Sequence, residues 1–256
     1  MSARDESQRK RRFYVPDLPA GDAREQPGGH VHVELPQDES HHALNVLRLE
    51  IGDEVELFDG TGTVAAGKIA KTTRNRAEIK LAEVRKEPRP GPAVHLAFAV
   101  PKSKRLDWLL EKAGELGAAG LRAVRFERSV AGDSAFNDAK KQRWQRRLIS
   151  AGKQSGRNHL PQLLPPMELA DFLSAAGTDL LLLGDAGKEA RPVSSVKPQS
   201  DQGVSILVGP EGGLTEEEFQ RCTGAGYLPV RLGGGTLRTE TAAIALLAAV
   251  VAIAEQ

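Results

Sequence analysis

The pattern of apolar and polar positions changes character about a third of the way along the chain. From 13 to about 84 the apolar positions come in short runs, 31–33, 54–58, 64–69 and 77–81, with the length and alternation of half-buried strands. Asp59-Gly-Thr-Gly62 between two of these runs is a hairpin signal. One helix interrupts them over 40–48, with Ser40 as its N-cap and Ala43, Leu44 and Leu47 on one face. The pattern predicts a small β-barrel-like domain over 13–86. Residues 87–92, Glu-Pro-Arg-Pro-Gly-Pro, fix φ and remove donors at three positions, so a linker is expected there.

Beyond the prolines, strands alternate with helices. Strands are predicted at 94–100, 121–126, 179–183, 204–208 and 228–232, and helices at 104–116, 138–153, 216–223 and from about 239 onward. Such an alternation gives an α/β domain, here 93–256, with a mostly parallel sheet covered by helices. In the first helix Leu106, Leu109, Leu110, Ala113 and Leu116 share one stripe facing a core. The polar, proline-containing stretch 187–202 reads as a loop.

Composition narrows the class. The chain has 256 residues, 40% of them hydrophobic, enough for real cores. Its longest apolar run, 242–254, is shorter than the roughly 18 residues a membrane helix requires and reads as a buried C-terminal helix. Cys222 is the single cysteine, which excludes an internal disulfide and suits a reducing compartment, the cytoplasm. The net charge of +1 hides an uneven distribution: 139–167 holds Lys140, Lys141, Arg143, Arg146, Arg147, Lys153 and Arg157 without one acid. With Trp144, and with the basic arm 1–12 leading into Phe13 and Tyr14, this clustering points to a polyanionic partner, RNA being the natural one. A solvated helix face is the alternative.

Two glycine-centred turns carry the candidate chemistry. Residues 206–214 read Ile-Leu-Val-Gly-Pro-Glu-Gly-Gly-Leu and 232–241 read Leu-Gly-Gly-Gly-Thr-Leu-Arg-Thr-Glu-Thr. Each follows a strand and opens a helix, where α/β proteins bind ligands, and glycine allows close backbone approach. Thr215 and Glu218 form a capping box that fixes the helix after the first turn. Glutamates 216 to 218, the lack of a phosphate-loop lysine and the lack of GxGxxG disfavour nucleoside triphosphates and NAD. A purine ligand with a positive charge, such as S-adenosylmethionine, suits the composition better. Arg238 and Glu240 are hard to explain as packing; a surface ion pair, worth ~0–1 kcal/mol, is the rival reading. His30, His32, His41 and His42 lack accompanying carboxylate or cysteine ligands, so no metal is expected.

These residues resemble the ribosomal RNA small subunit methyltransferase E family, in the SPOUT class. The resemblance is carried by the start at Arg12-Phe-Tyr-Val, His42-Ala-Leu-Asn-Val-Leu-Arg48, Lys102 to Arg105, Glu127-Arg-Ser129 and Gln154-Ser-Gly-Arg157. Most specific are Val208-Gly-Pro-Glu-Gly-Gly213 and Leu237-Arg-Thr-Glu-Thr241. It implies a PUA-like β-barrel for RNA docking and a SPOUT-type α/β trefoil-knot domain. It implies S-adenosylmethionine held by Leu183 and Gly184, by Val208, Gly209, Pro210, Glu211, Gly212 and Gly213, and by Leu232, Gly233, Gly234, Leu237 and Thr239. It further implies a homodimer acting on 16S rRNA or the small ribosomal subunit to give N3-methyluridine, with the phosphate backbone met by Arg12, Arg48, Lys102, Lys104, Arg105, Arg128 and Arg157, and Tyr14 as an aromatic RNA contact. Two positions depart from the family pattern: Gly235-Thr-Leu replaces a basic residue before the last motif, and Lys153 stands where a glutamate is common. Arg238 is the expected stabiliser of a uracilate, and Glu240 would orient it or take the N3 proton. A non-catalytic RNA-binding assembly factor is the competing reading; measured cofactor affinity separates the two.

Overall fold

The computed structural model describes residues 11–19, 31–129, 138–175, 177, 179–199 and 202–254, and divides into two units. The first comprises residues 1–88 and 155–159, the second 89–154 and 160–256. Residues 1–10 of the expected arm, and His30, lie outside the described set.

The first unit is a five-stranded sheet in the order β1-β3-β4-β5-β2, with β1 Arg11–Tyr14, β2 His32–Glu34, β3 Glu54–Phe58, β4 Thr63–Thr72 and β5 Ala77–Lys86. All pairings are antiparallel except β1 with β3. Phe13, Leu57, Ile69 and Ile79 are among the side chains of its core. At the β3–β4 turn the Asp59 carboxylate accepts from the Thr61 and Thr63 amides at 2.7 and 2.9 Å, an Asx arrangement that closes the hairpin. A Cβ on Gly62 would collide with the Glu87 carbonyl and the His159 ring, so segment 155–159 seats against the turn only because 62 is glycine.

The helix expected from 40 to 48 starts earlier. The segment α1, Gln37–His41, follows Pro36, and Ser40 lies inside it, buried, donating to the Leu35 carbonyl at 3.0 Å and accepting from the Ala77 amide at 3.2 Å. Ser40 therefore anchors the helix to the sheet instead of capping it. A π-helical turn, His42–Val46, follows, closed by the Leu47 amide on the His42 carbonyl at 2.9 Å. The inserted residue turns later side chains by about 100° from the α-helical register. Hence Ala43 is buried while Leu47, expected on the same face, is exposed.

The second unit is a seven-stranded parallel sheet in the order β10-β12-β9-β11-β6-β7-β8. Its strands are β6 Val94–Phe98, β7 Gly120–Arg125, β8 Gln162–Glu168, β9 Leu180–Gly184, β10 Arg191–Pro192, β11 Val204–Val208 and β12 Leu228–Arg231. The helices are α2 Ser103–Leu116, α3 Asp138–Ser155, α4 Leu169–Ser174, α5 Glu216–Gly224 and α6 Thr239–Ala254. Helix α6 packs on α2 and on β6, β9 and β11. Its Ala243, Leu246, Leu247 and Val250 join Leu96, Leu109 and Ile206 in the larger core. Trp144, expected to accompany the basic residues toward RNA, packs partly buried against this core. Among the described residues no helix is long and apolar enough to cross a membrane.

Strand β8 escaped the hydropathy reading because Pro165 and Pro166 sit inside it. The register shifts there, from Arg122 opposite Leu164 to Val124 opposite Met167, so both prolines fall in a bulge on an edge strand, where a missing donor is tolerated. The polar loop expected over 187–202 contains the other edge strand, β10, and a short 3-10 turn, Val193–Ser195. Val193 and Val196 are buried in the core beneath it.

Candidate active site

Strand order places the site. Chain order runs β9, β10, β11, β12, yet β12 lies on one side of β9 and β11 on the other. The loops leaving the carboxyl ends of these three adjacent strands converge at a switch point in the sheet, the position at which open α/β sheets bind ligands. There they enclose a cavity of about 430 Å3.

The three loops follow Leu183 and Gly184, Val208, and Arg231. Of the residues expected to hold a cofactor, Leu183, Gly184, Val208, Gly209, Pro210, Glu211, Gly213, Leu232, Gly233, Gly234, Leu237 and Thr239 line the cavity, and Gly212 does not. Gly212 instead offers its carbonyl to the Arg128 guanidinium at 3.0 Å, outside the cavity. The first loop is tied by the Asp185 amide to the Val230 carbonyl at 2.9 Å, and the second by the Gly213 amide to the Pro210 carbonyl at 2.9 Å. The capping box at α5 is complete: Glu218 accepts from the Thr215 amide at 2.9 Å and from the Glu127 amide at 2.8 Å. Gly213 and Gly233 take φ of 70° and 65°, where other residues are strained.

Sequence reasoning reached Thr239 but missed the rest of the floor, Ala242 and Leu246. Thr239, Ala242 and Leu246 line the cavity from one face of α6. Their spacing of three and four residues is the periodicity of a single helix face, a signal available in the sequence but hidden by the nearly uniform apolarity of this helix.

The charge of the cavity is uneven. Asp185, Glu211 and Glu216 line it against one cation, Arg231, and that guanidinium donates to the Ala190 and Gly233 carbonyls at 2.9 and 3.0 Å. Leu183, Val208 and Leu246 are among its apolar lining residues. An apolar floor, polar backbone walls and an excess of carboxylate fit a ligand with a flat apolar part and a positive charge.

The two candidate catalytic residues diverge. Arg238 is exposed at the end of the third loop, and its carbonyl accepts from the Ala242 amide at 2.8 Å. Glu240, 6% exposed, does not line the cavity; its Oε1 lies 3.5 Å from Arg105 Nε, and its Oε2 has no hydrogen-bond partner among the described residues. The carboxylate expected to orient Arg238 or take a proton is turned toward α2.

The residues expected at the RNA backbone also separate. Lys102 and Lys104 are exposed at the start of α2, but Arg105 beside them is paired with Glu211 and Glu240. Arg143 and Arg147, in the basic run, pair with Asp107 of α2, so part of that run is neutralised. In the first unit, Arg12 is largely buried: it pairs with Glu56 at 2.9 Å, bonds the Asn158 side chain and lies 4.5 Å over the Phe58 ring. Burial lowers its pKa from the ordinary arginine value. Tyr14, half-buried edge-on to Phe58, has its pKa raised by burial, while Arg157 is half-buried and Arg48 is exposed with φ of 54°. Among the described residues no group of three or more His, Cys, Asp or Glu side chains could hold a metal.

Fold and site together define an RNA methyltransferase of the SPOUT class. The RNA methyltransferase domain family matches residues 87–251, and the RNA methyltransferase PUA domain family residues 35–82. The chain belongs to the ribosomal RNA small subunit methyltransferase E family. It is 34% identical over 245 residues to the member from Mycobacterium tuberculosis, covering 93% of this chain and 90% of that one. It is 32% identical over 224 residues to the Bacillus subtilis member, covering 83% and 87%. A crystal structure of the Neisseria gonorrhoeae protein bound to S-adenosyl methionine is similar with a TM-score of 0.83 at 31% identity, covering 95% of this chain and 98% of that chain.

Proposed function

We propose that this chain transfers a methyl group from S-adenosylmethionine to N3 of a specific uridine in 16S rRNA of the small ribosomal subunit. The observation that carries the reading is the cavity itself: three converging backbone loops with an apolar floor and, besides Glu211, which Arg105 pairs from outside, two carboxylates, Asp185 and Glu216, against one guanidinium. That chemistry suits a purine joined to a sulfonium, and the similar Neisseria gonorrhoeae structure binds this molecule. Bound there, S-adenosylmethionine supplies an activated methyl group for in-line displacement.

The residues of the chain then have two tasks. The glycine loops hold the donor by backbone contacts, with Leu183, Val208 and Leu246 as apolar support. Arg238, exposed beside the cavity, faces the substrate. Uracil N3 is a weak nucleophile until it loses its proton, so the catalytic demand is to stabilise negative charge on O2 and O4, which a guanidinium can do. The N3–methyl bond forms as the sulfur–methyl bond breaks, and the N3 proton passes to water. Exposed Lys102, Lys104 and Arg48 meet the rRNA backbone. In this reading the protein works in the cytoplasm as a homodimer whose two subunits share the RNA site, and the segment after β12 threads a trefoil knot.

The test is to incubate small subunits from cells lacking the protein with enzyme and isotopically labelled donor, then to map the modified nucleotide by mass spectrometry. Label on uracil N3 is expected; label on carbon or ribose overturns the assignment. The rate should rise with pH below the N3 pKa, and a flat profile counts against rate-limiting loss of the N3 proton.

A further inference from the structure

We propose that Arg105 is a positioning residue for methyl transfer: from outside the cavity it joins Glu211, on the second loop, to Glu240, at the start of α6, and so sets the separation of the walls that hold the methyl donor. This rests on the donor reading above.

Helix α2 has no acid in its first turn, and Lys102, Lys104 and Arg105 crowd its N-terminus, where the helix dipole disfavours cations. Arg105 is compensated by two carboxylates far away in sequence. Its Nη1 bonds Glu211 Oε1, and its Nε lies 3.5 Å from Glu240 Oε1. Glu211 belongs to the cavity wall and is partly exposed, whereas Glu240 is 6% exposed. A charge so buried requires a partner, and Arg105 is the only cation paired with it among the described residues.

The connection has consequences on both sides. The second loop is gripped on two flanks, by Arg105 through Glu211 and by Arg128 through the Gly212 carbonyl. On the other side, Glu240 stands one residue after Thr239, which lines the cavity, and two after Arg238, whose carbonyl is held in the first turn of α6. A shift of Arg105 is therefore passed to the donor loop and to Arg238 together. Neither Arg105 nor Glu240 touches the cavity, so the effect is one of placement. The planar fork of arginine serves two acceptors in different directions, which a lysine ammonium does less well.

Calorimetric titration of the wild-type protein with S-adenosylmethionine tests the underlying reading first: no binding overturns that reading, and this proposal with it. With binding established, Arg105→Gln should raise the donor Kd about tenfold, leave affinity for an rRNA fragment and its salt dependence within about twofold, and be partly rescued by Arg105→Lys. Glu211→Gln changes a partly exposed side chain and keeps the fold even where Arg105→Gln does not. It should raise the donor Kd alone, and the double variant should lose less than the product of the single effects. An unchanged donor Kd in Glu211→Gln overturns the proposal. So does an Arg105→Gln variant that binds donor normally but loses RNA affinity with a salt slope lowered by about 1, since Arg105 is then a phosphate contact.

Discussion

The Thr239 hydroxyl donates to the Gly209 carbonyl at 3.0 Å, tying the start of α6 to the second loop across the floor of the cavity. Thr239 is 4% exposed, so the bond is shielded from water. Thr239→Val keeps the shape and leaves the Gly209 carbonyl without this donor. The expected cost is about 1–3 kcal/mol in urea denaturation, accompanied by weaker binding of S-adenosylmethionine. A variant that binds donor as tightly as wild type would show that this tie serves stability alone.

Arg48 is the sole residue other than glycine with positive φ among the described residues. It follows the π-helical turn, in the position a glycine usually takes at a helix end. Holding a side chain there costs roughly 1–2 kcal/mol, part of which glycine would return as unfolded-state entropy. Arg48→Gly should therefore raise stability by about 0.5 kcal/mol. If the guanidinium meets rRNA, the same variant weakens RNA binding and lowers the salt slope by about 1. Greater stability with unchanged RNA affinity would remove Arg48 from the interface.

What was legible in the sequence follows from what local pattern can encode. Strands β3 and β11 and the capping box at Thr215 depend on neighbours a few residues away, and the structure has them at the expected positions. Strand β1 was hidden because Arg11 and Arg12 precede Phe13, and the burial of Arg12 comes from Glu56 and Asn158, both distant in sequence. Arg105 and Glu211 are 106 residues apart. Nothing near Arg105 distinguishes a cation awaiting phosphate from one already paired, and the Asp107 that pairs with Arg143 and Arg147 lies outside the acid-free run 139–167 that contains them. The glycine loops could be read because both the turn and the strand before it are local features.

Burial pushes the Cys222 thiol up to about 11, with Glu218 adding to the effect. The unfolded thiol titrates near about 8.5, so the folded state holds its proton over a wider range. The resulting stabilisation is fully present below about pH 8.5 and is lost as pH rises through about 11, with a slope of up to about 1.4 kcal/mol per pH unit. Tyr227, raised by burial, acts with the same sign at higher pH. Urea midpoints measured at about pH 8 and pH 10.5 should fall less in Cys222→Ala than in wild type. Equal falls would mean that the thiol ionises without opposing the fold.

Arg12 provides the sharpest separation of structure from RNA contact. Its guanidinium pairs with Glu56 where both side chains are about nine-tenths buried, at 9% and 12% exposure. Removing one partner of such a pair strands the other charge, at a typical cost of about 3–5 kcal/mol, whereas replacing both with apolar groups is often close to neutral. Arg12→Leu should therefore destabilise the first unit strongly, and Arg12→Leu with Glu56→Leu should recover most of the loss. The double variant isolates the RNA question because it folds without the guanidinium. Its affinity for an rRNA fragment should match wild type, with the same dependence on salt, since a side chain engaged with Glu56, Asn158 and the Phe58 ring has little left to offer a phosphate. A stable double variant with a salt slope lowered by about 1 would instead place Arg12 at the RNA backbone.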